Sequence, residues 1–373
     1  GLLLLSIVLF WLLVLKSTGN NSTKNTSESS AGSAATYEWK LVTTWPKNFP
    51  GLGSAATNFS QTMSDMTQGR FKVKVYGAGE LVPALGVFDA VSSGSVEAGH
   101  GAAYYWKGKM SAAQFFTSVP FGMNAQEMNG WLFYGGGMEL WRDLYAPFNV
   151  VPFAAGNTGV QMAGWFNKEI NSAADLQGLK MRIPGLGGEV LNRAGGSSIN
   201  IPGGELYTAL QTGVIDATEW VGPYNDLAFG FHQVAKYYYY PGWHEPGPTL
   251  ELIINKDAYE SLPKDIQVMV AAAARKANQD MLDEYTGRNN SALKELKQKY
   301  GVKVRRLPDD VLTKLKSISE DIYREESDKD ADFKRVYQSY KAFQEGASEY
   351  HHVSEQAYFE VRDSVKNSSS NVH

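Results

Sequence analysis

The spacing of hydrophobic residues predicts alternating strands and helices from residue 37 onwards. Residues 37–43 (YEWKLVT) are typical of a strand, and residues 55–66 have the spacing of a helix. Residues 71–76 (FKVKVY) alternate, with aromatic and aliphatic side chains on one face and lysines on the other. A period of two is that of a half-exposed strand. The first part of the chain therefore predicts a strand, a helix and a second strand.

The same alternation continues through the middle of the chain. A helix is predicted at residues 84–92, and short strands are predicted at residues 96–100 and 180–183. Two longer apolar runs, residues 153–168 and residues 249–255, are predicted as strands that pass from one lobe to another. Strands that alternate with helices indicate an α/β fold. Two crossings predict a hinged pair of lobes.

The chain changes after Pro263 to long amphipathic helices. Helical spacing predicts helices at residues 264–297, 309–343 and 347–361, with a short strand at residues 302–307. Charged side chains on the outer faces of these helices are typical of solvation rather than of an ionic site.

The length of 373 residues suits about two lobes, because domains commonly contain roughly 100–200 residues. We assign residues 37–160 and 250–310 to lobe one and residues 161–249 to lobe two. Residues 311–365 are predicted as C-terminal helices, and residues 366–373 as a disordered tail.

The first segment predicts export. Residues 1–16 are almost purely apolar up to Lys16, which is the length of a signal-peptide core rather than of a membrane span. Residues 17–36 form a Ser/Thr/Asn/Gly tract, which is typical of a flexible tether. The chain contains no cysteine for lipid attachment, so the segment is either cleaved or retained as an anchor in the inner membrane. Both alternatives predict a location in the periplasm.

Composition excludes several functions. The absence of cysteine excludes disulfides, thiolate metal sites and cysteine nucleophiles. A formal net charge of −4 gives no basic field for nucleic acid, so no nucleic-acid partner is expected. The sequence also contains no recognisable catalytic motif. Any metal must therefore use oxygen or histidine ligands, and the protein is predicted not to be an enzyme.

Two places carry candidate chemistry. Arg182 lies at the carboxyl end of a predicted strand, where open α/β sheets bind ligands, and its planar fork matches a carboxylate. The alternative role for Arg182 is a surface salt bridge. Glu219 and the backbone carbonyl of Trp220 are hard oxygen ligands for Na⁺ or Ca²⁺, although such a pair also occurs in ordinary loops.

Two longer stretches resemble a known family. Residues 176–182 (LQGLKMR) and residues 205–217 (ELYTALQTGVIDA) resemble the solute receptors of TRAP transporters, the DctP type. Residues 76–82 and 91–97 support the resemblance, which covers residues 37–361. It implies a two-lobed periplasmic binding protein of the type II-like α/β class that delivers its ligand to TRAP membrane subunits. It also implies that the C-terminal helices can exchange between two subunits to form a homodimer.

Within the family, the chain is most similar to the branch that binds 2-oxo acids and lactate. The motifs are NTGVQMAGWF, ATEWVGPYND and YYYYPGWHEPG. The resemblance implies that Gln161, Glu219 and the Trp220 carbonyl hold Na⁺ or Ca²⁺ together with a pyruvate-like or lactate-like ligand, with Glu245 as a further cation ligand.

The resemblance also implies that Arg182 clamps the carboxylate of the ligand. The implied pocket walls are Trp45, Tyr104, Tyr105 and Phe121. Two other functions remain open on the sequence. One is a secreted, metal-assisted enzyme that acts on a carboxylate, although no residue set supplies a general base. The other is a sensor ectodomain with the same pocket.

Overall fold

The computed structural model describes residues 36–369, with side chains described to residue 364, and it contains two mixed sheets flanked by helices. The strands are β1 (Tyr37–Thr43), β2 (Phe71–Tyr76), β3 (Ala98–Gly101), β4 (Val150–Asn157), β5 (Gly164–Phe166), β6 (Lys180–Arg182), β7 (Ser197–Ile199), β8 (Ala217–Thr218), β9 (Tyr237–Tyr240), β10 (Thr249–Asn255) and β11 (Lys303–Arg306). The helices are α1 (Leu52–Met66), α2 (Val87–Ser92), α3 (Ala125–Tyr134), α4 (Gly137–Tyr145), α5 (Gly185–Arg193), α6 (Leu206–Gln211), α7 (Pro223–Phe229), α8 (Lys256–Glu260), α9 (Lys264–Gln298), α10 (Asp309–Lys329), α11 (Ala331–Val353) and α12 (Glu355–Ser369).

The first sheet has the order β2-β1-β3-β10-β4. β1 pairs in parallel with β2 and β3, whereas β10 runs antiparallel to its neighbours β3 and β4. In β2 the apolar positions are buried and the two lysines are exposed, as the alternating sequence predicts. The strand predicted at residues 37–43 is therefore confirmed, together with the parallel partner that follows it.

The second sheet has the order β11-β9-β5-β8-β6-β7. Within it β6 pairs in parallel with β7 and β8, with Arg182 opposite Thr218. The carboxyl ends of β6 and β8 therefore meet at the same edge of this sheet.

The two crossings differ from the predicted long strands. The run at residues 153–168 is divided between β4 in the first sheet and β5 in the second. Gly159 and Gly164 have φ values of +69° and +120°, which break the extended backbone at both ends of the link. β10 lies entirely in the first sheet, so the second crossing is the loop between β9 and β10. The crossings are loops, and loops can present side chains to the space between the sheets.

The assignment of residues 250–310 to lobe one is wrong at its end. β11 pairs with β9, residue Lys303 opposite Tyr237, and so belongs to the second sheet. The 35-residue helix α9 carries the chain from the first sheet to this position. The sequence of residues 303–306 alone does not show which sheet the strand joins, because its partner β9 is distant in sequence.

The C-terminal helices also differ from prediction. The helix expected at residues 309–343 ends at Lys329, because the Asp330 side chain accepts hydrogen bonds from the N–H groups of Asp332 (2.9 Å) and Phe333 (3.1 Å) and caps α11. α12 continues to Ser369, into the range 366–373 that was predicted as a disordered tail. The predicted signal or anchor at residues 1–16, the tether up to residue 35, and residues 370–373 lie outside the described residues. Across residues 36–369 no helix is both long enough and apolar enough to cross a membrane.

Glu251 in β10 is a fully buried carboxylate in the first sheet. It accepts hydrogen bonds from the Trp106 indole and from the Tyr145 hydroxyl, the latter at 2.9 Å. Burial raises the pKa of Glu251 to about 7, although both hydrogen bonds act in the opposite direction. The side chain is thus held near its neutral form at pH values where an exposed glutamate is ionised.

The raised pKa of Glu251 predicts a stability that decreases with pH. Because the folded pKa lies above the usual value of a glutamate, the contribution of Glu251 to the free energy of unfolding is complete below about pH 4.5. It is lost as pH rises through about 7, by about 3 kcal/mol. Glu251→Gln is expected to remove this part of the pH dependence and to be the more stable protein at pH 8. Urea unfolding of both proteins at pH 5 and pH 8 measures it. Glu38→Gln, on the exposed face of β1, is the control, and equal pH profiles for Glu251→Gln and the wild type would contradict the prediction.

Candidate functional site

The candidate site lies where the carboxyl edge of the second sheet meets the two crossing loops. Arg182 is the last residue of β6, and Glu219 follows β8 directly. Because β6 and β8 are parallel neighbours, the two side chains leave the sheet at the same edge. This register explains why residues 37 positions apart in sequence form one site.

Arg182 and Glu219 form a buried ion pair. Their side chains are 2% and 0% exposed, and Nη1 of Arg182 donates to Oε1 of Glu219. Arg182 also donates to the Ile201 carbonyl oxygen at 3.3 Å and to the Tyr105 hydroxyl at 3.5 Å, and its guanidinium lies 5.2 Å from the centre of the Trp220 ring. Although burial by itself lowers the pKa of Arg182, its contact with Glu219 raises it. The guanidinium is therefore always charged, and the alternative of a surface salt bridge is excluded by its burial.

A cluster of potential cation ligands adjoins this ion pair. One ligand atom each from Glu219, His244 and Glu245 lies within 4.8 Å of the others, and all three residues are buried. His244 Nε2 is 3.4 Å from Oε2 of Glu219, so Glu219 contacts arginine with one oxygen and the imidazole with the other. Burial, and then repulsion from Glu219, raise the pKa of Glu245 well above its usual range. A bound cation would offset the repulsion between the two carboxylates and favour the charged form of Glu245.

The buried side-chain atoms at this cluster that make no hydrogen bond within the described part of the chain include two oxygens, Oε1 of Gln161 and Oε2 of Glu245. Buried polar atoms are normally satisfied, so these two indicate a ligand. Both are hard oxygen donors, as Na⁺ and Ca²⁺ require. The residues present therefore fit the cation that the sequence resemblance implies.

Hydrogen bonds between the two crossing loops fix the positions of the residues that carry these oxygens. Gln161 donates its N–H to the Glu245 carbonyl oxygen at 3.1 Å, and Gly242 donates its N–H to the Gln161 carbonyl oxygen at 3.0 Å. A Cβ at position 242 would collide with the Gln161 carbonyl, which explains the glycine. The Gln161 amide nitrogen donates to the Thr158 hydroxyl at 3.2 Å, which leaves its Oε1 free for a ligand.

Asp226 fixes the loop that carries Trp220. One carboxylate oxygen accepts from the N–H groups of Val221 (3.3 Å) and Gly222 (3.2 Å), and the other accepts from the Trp165 indole and the Tyr238 hydroxyl. The Val221 N–H and the Trp220 carbonyl belong to one planar trans peptide, so this carbonyl is directed away from Asp226. Burial raises the pKa of Asp226 to about 7.

A small cavity of about 10 Å³ adjoins the charged cluster, with room for about one water molecule. It is lined by Trp45, Leu52, Tyr104, Tyr105, Thr158, Gln161, Arg182, Trp220, Val221 and Leu250. The structure thus places Trp45, Tyr104 and Tyr105 together with Gln161, Arg182 and Trp220, and places Glu219 and Glu245 beside them.

Phe121 is not among the residues that line this cavity. It lines a separate groove of about 610 Å³ beside α10 and α11, and its ring faces the Trp243 ring at 5.9 Å between centres. The structure therefore places Phe121 beside Trp243 rather than at the small cavity, and its role as a pocket wall stays a prediction. The groove is the larger space, but it lacks the buried ion pair and the unpaired oxygens, so the small cavity is the candidate site.

Sequence reasoning missed several residues of the site. His244 and Asp226 stood inside the motifs that carry the resemblance, and their positions beside Glu219 and Trp220 could have suggested a supporting role. Leu52 and Leu250 carry no signal in the sequence, because an aliphatic residue in a pocket wall has the same pattern as one in the core.

The fold has two sheets, each flanked by helices and joined by crossing loops, and a buried arginine lies beside a cluster of cation ligands. This combination defines a two-lobed solute-binding protein. Residues 41–330 match the DctP family, described as "Bacterial extracellular solute-binding protein, family 7". The chain belongs to this family. The predicted TRAP receptor family and the α/β two-lobed fold are confirmed, and the chain is a binding protein rather than an enzyme.

Three similar proteins extend the comparison. The monocarboxylate 2-oxoacid-binding periplasmic protein of Nostoc sp. (strain PCC 7120) is 47% identical over 334 residues, which are 90% of this chain and 91% of that protein. A TRAP periplasmic solute-binding protein of Pseudoalteromonas atlantica T6c, solved with bound sodium and pyruvate, is 45% identical with a TM-score of 0.85, covering 87% of this chain and 99% of the other. A TRAP transporter solute-binding protein of Bordetella bronchiseptica RB50 is 39% identical with a TM-score of 0.88, covering 90% and 99%; it is a mixed-occupancy dimer with calcium and picolinate in one site and an apo second site.

Proposed function

We propose that this protein captures a small 2-oxo or 2-hydroxy monocarboxylate, of the size of pyruvate or lactate, together with Na⁺ or Ca²⁺. The observation that carries the proposal is that one buried carboxylate, Glu219, contacts both Arg182 and the cluster of cation ligands. A carboxylate with a neighbouring oxygen suits such a site, because it can chelate the cation while the carboxylate pairs with the guanidinium.

Arg182 and the predicted cation ligands each have a role in this proposal. Gln161, Glu219, Glu245 and the Trp220 carbonyl supply oxygens to the cation, and the cation supplies positive charge to the carboxylate and its 2-oxo or 2-hydroxy oxygen. Arg182 donates two parallel hydrogen bonds to the same carboxylate. Arg182 and the cation together balance the negative charges of Glu219 and the ligand, which limits the cost of burying them.

Trp45, Tyr104 and Tyr105 would set the size limit for the ligand's side chain. All three line the small cavity, and Trp45 and Tyr104 are buried in a cluster of packed apolar side chains. Packed aromatic walls resist expansion, because enlarging a well-packed site forces side chains from their preferred rotamers. We therefore infer a preference for ligands with a methyl group over those with long or branched chains.

Calorimetric titration of the purified protein tests the function. Pyruvate, lactate and longer 2-oxo acids are titrated with Na⁺, with Ca²⁺ and after removal of divalent ions. Pyruvate or lactate is expected to bind best, and only when a cation is present; recovery of unchanged ligand distinguishes binding from turnover. If no carboxylate binds under any of these conditions, the proposal is wrong.

We propose TRAP membrane subunits as the recipients of the ligand, on the basis of the family.

We also propose a homodimer through the C-terminal helices. It is supported by apolar side chains that the described structure leaves largely exposed on α11 and α12: Tyr350, Val353, Tyr358 and Val361. Sedimentation velocity at low and high protein concentration tests the dimer, and a monomer at all concentrations would exclude it. Retention at the inner membrane by residues 1–16 is a separate proposal, which membrane fractionation of the full-length protein tests.

A further inference from the structure

The segment at residues 117–124 lies between the C-terminal helices and the candidate site. Three side chains of α10 and α11 hydrogen-bond to its main chain: the Tyr323 hydroxyl donates to the Pro120 carbonyl (2.7 Å), Gln344 Nε2 donates to the Phe121 carbonyl (2.9 Å), and the Tyr340 hydroxyl accepts from the Met123 N–H (2.6 Å). Tyr323 and Tyr340 are buried, so neither contact is a loose surface bond.

The opposite side of the same segment supports the loop with the cation ligands. Phe121 donates its N–H to the Trp243 carbonyl oxygen at 2.7 Å, and Thr249 donates its N–H to the Thr117 carbonyl oxygen at 3.0 Å. Gly247 packs so closely on the backbone at Asn124 that a Cβ would collide with it. The loop between these contacts contains His244 and Glu245.

Phe121 has a φ of +55°, in the left-handed region that residues with a side chain rarely adopt. Such a conformation persists only where the surroundings determine it from more than one side. Here its N–H is held by Trp243 and its carbonyl by Gln344. A single peptide segment therefore connects α11 to the residue that precedes His244.

We infer that Tyr323, Tyr340 and Gln344 are positioning residues for the cation-binding loop, acting through Pro120, Phe121 and Met123. The inference rests on the proposed function, because its consequence is a change in ligand affinity. The C-terminal helices thereby belong to the binding mechanism, although none of their residues lines the small cavity.

Phenylalanine substitutions at two neighbouring tyrosines, Tyr323 and Tyr337, test the inference in the full-length protein. The rings of Tyr323 and Tyr337 lie 5.1 Å apart in the same groove, and within residues 36–369 no hydrogen bond from the Tyr337 hydroxyl is found. Tyr323→Phe and Gln344→Met are each expected to weaken pyruvate binding, in the presence of Ca²⁺, by a factor of about 5 or more. Tyr337→Phe is expected to bind as the wild type does.

A second measurement separates positioning from stability. Pyruvate and Ca²⁺ are expected to slow amide hydrogen exchange at Phe121 and Met123 in the wild type, because coupling between two places is reciprocal. If Tyr323→Phe and Gln344→Met lower Tm but leave pyruvate affinity unchanged, the inference is wrong and the proposed function stands. If the wild type itself binds no carboxylate, the proposed function fails and the inference falls with it.

Discussion

Arg182→Ala is expected to weaken pyruvate binding about 1000-fold, which corresponds to about 4 kcal/mol. Arg182 is 2% exposed and is held by Glu219, the Ile201 carbonyl and the Tyr105 hydroxyl, so its fork is already oriented before a ligand arrives. The alanine variant leaves the ligand's carboxylate without its two charge-assisted hydrogen bonds in a site that excludes water. Calorimetric titration with pyruvate at saturating Ca²⁺ measures the loss.

The same ion pair means that Arg182→Ala also affects folding. Without the guanidinium, Glu219 is a fully buried carboxylate whose remaining ion-pair contact is the His244 imidazole, and breaking such a pair typically costs about 3–5 kcal/mol. Circular dichroism and thermal unfolding must therefore accompany the titration. Arg182→Lys keeps the charge but loses the planar fork, and should bind more weakly than the wild type. Arg193→Ala, at a partly exposed ion pair on α5, is the control and should bind pyruvate as the wild type does. If Arg182→Ala is folded and binds pyruvate with wild-type affinity, Arg182 does not hold the carboxylate of the ligand.

Part of the site could be predicted from local patterns. Arg182 lies at the end of a predicted strand, two residues before Pro184, which is where open α/β sheets bind ligands. Glu219 is predicted as a loop residue, and only the structure shows that it follows β8, a parallel neighbour of β6, so that both side chains reach one edge. Trp45, Tyr104 and Tyr105 were transferred from the family resemblance, and the structure places them at the cavity. The roles of these residues remain predictions until binding is measured.

Most of the parts that could not be predicted depend on partners that are distant in sequence. β11 carries no local sign that its neighbour is β9, some 60 residues earlier, and Asp330 could not be distinguished from other aspartates of the helical region before its capping contacts were known. Phe121 has the aromatic side chain of a pocket wall, but its main chain has a positive φ and hydrogen-bonds to Trp243 and Gln344. For β11 and Phe121 the deciding interactions join residues far apart in sequence, where periodicity gives no information, whereas Asp330 caps α11 through its near neighbours Asp332 and Phe333.

Glu219→Gln is expected to weaken the binding of both the cation and the carboxylate. The substitution keeps the shape of the side chain but removes the negative charge from the centre of the ligand cluster, beside His244 and Glu245. Affinity for Ca²⁺ depends on the number of charged oxygen ligands, so a loss of about 1000-fold in Ca²⁺ affinity is expected, with a comparable loss for pyruvate. Ca²⁺ titration without ligand, followed by pyruvate titration, measures the two effects separately.

The comparison between Glu219 and Arg182 gives the sharpest result, because the two variants should shift Ca²⁺ affinity in opposite directions. Removing the positive guanidinium beside the cluster lowers the repulsion on a bound cation, so Arg182→Ala is expected to bind Ca²⁺ at least as tightly as the wild type while losing pyruvate. Glu219→Gln should lose both. Glu251→Gln, which alters another buried glutamate but lies in the first sheet, is the matched control and should keep both affinities. If Glu219→Gln binds pyruvate with the wild-type cation dependence, the cation is not held by this cluster and a cation-bridged carboxylate is not the mode of binding.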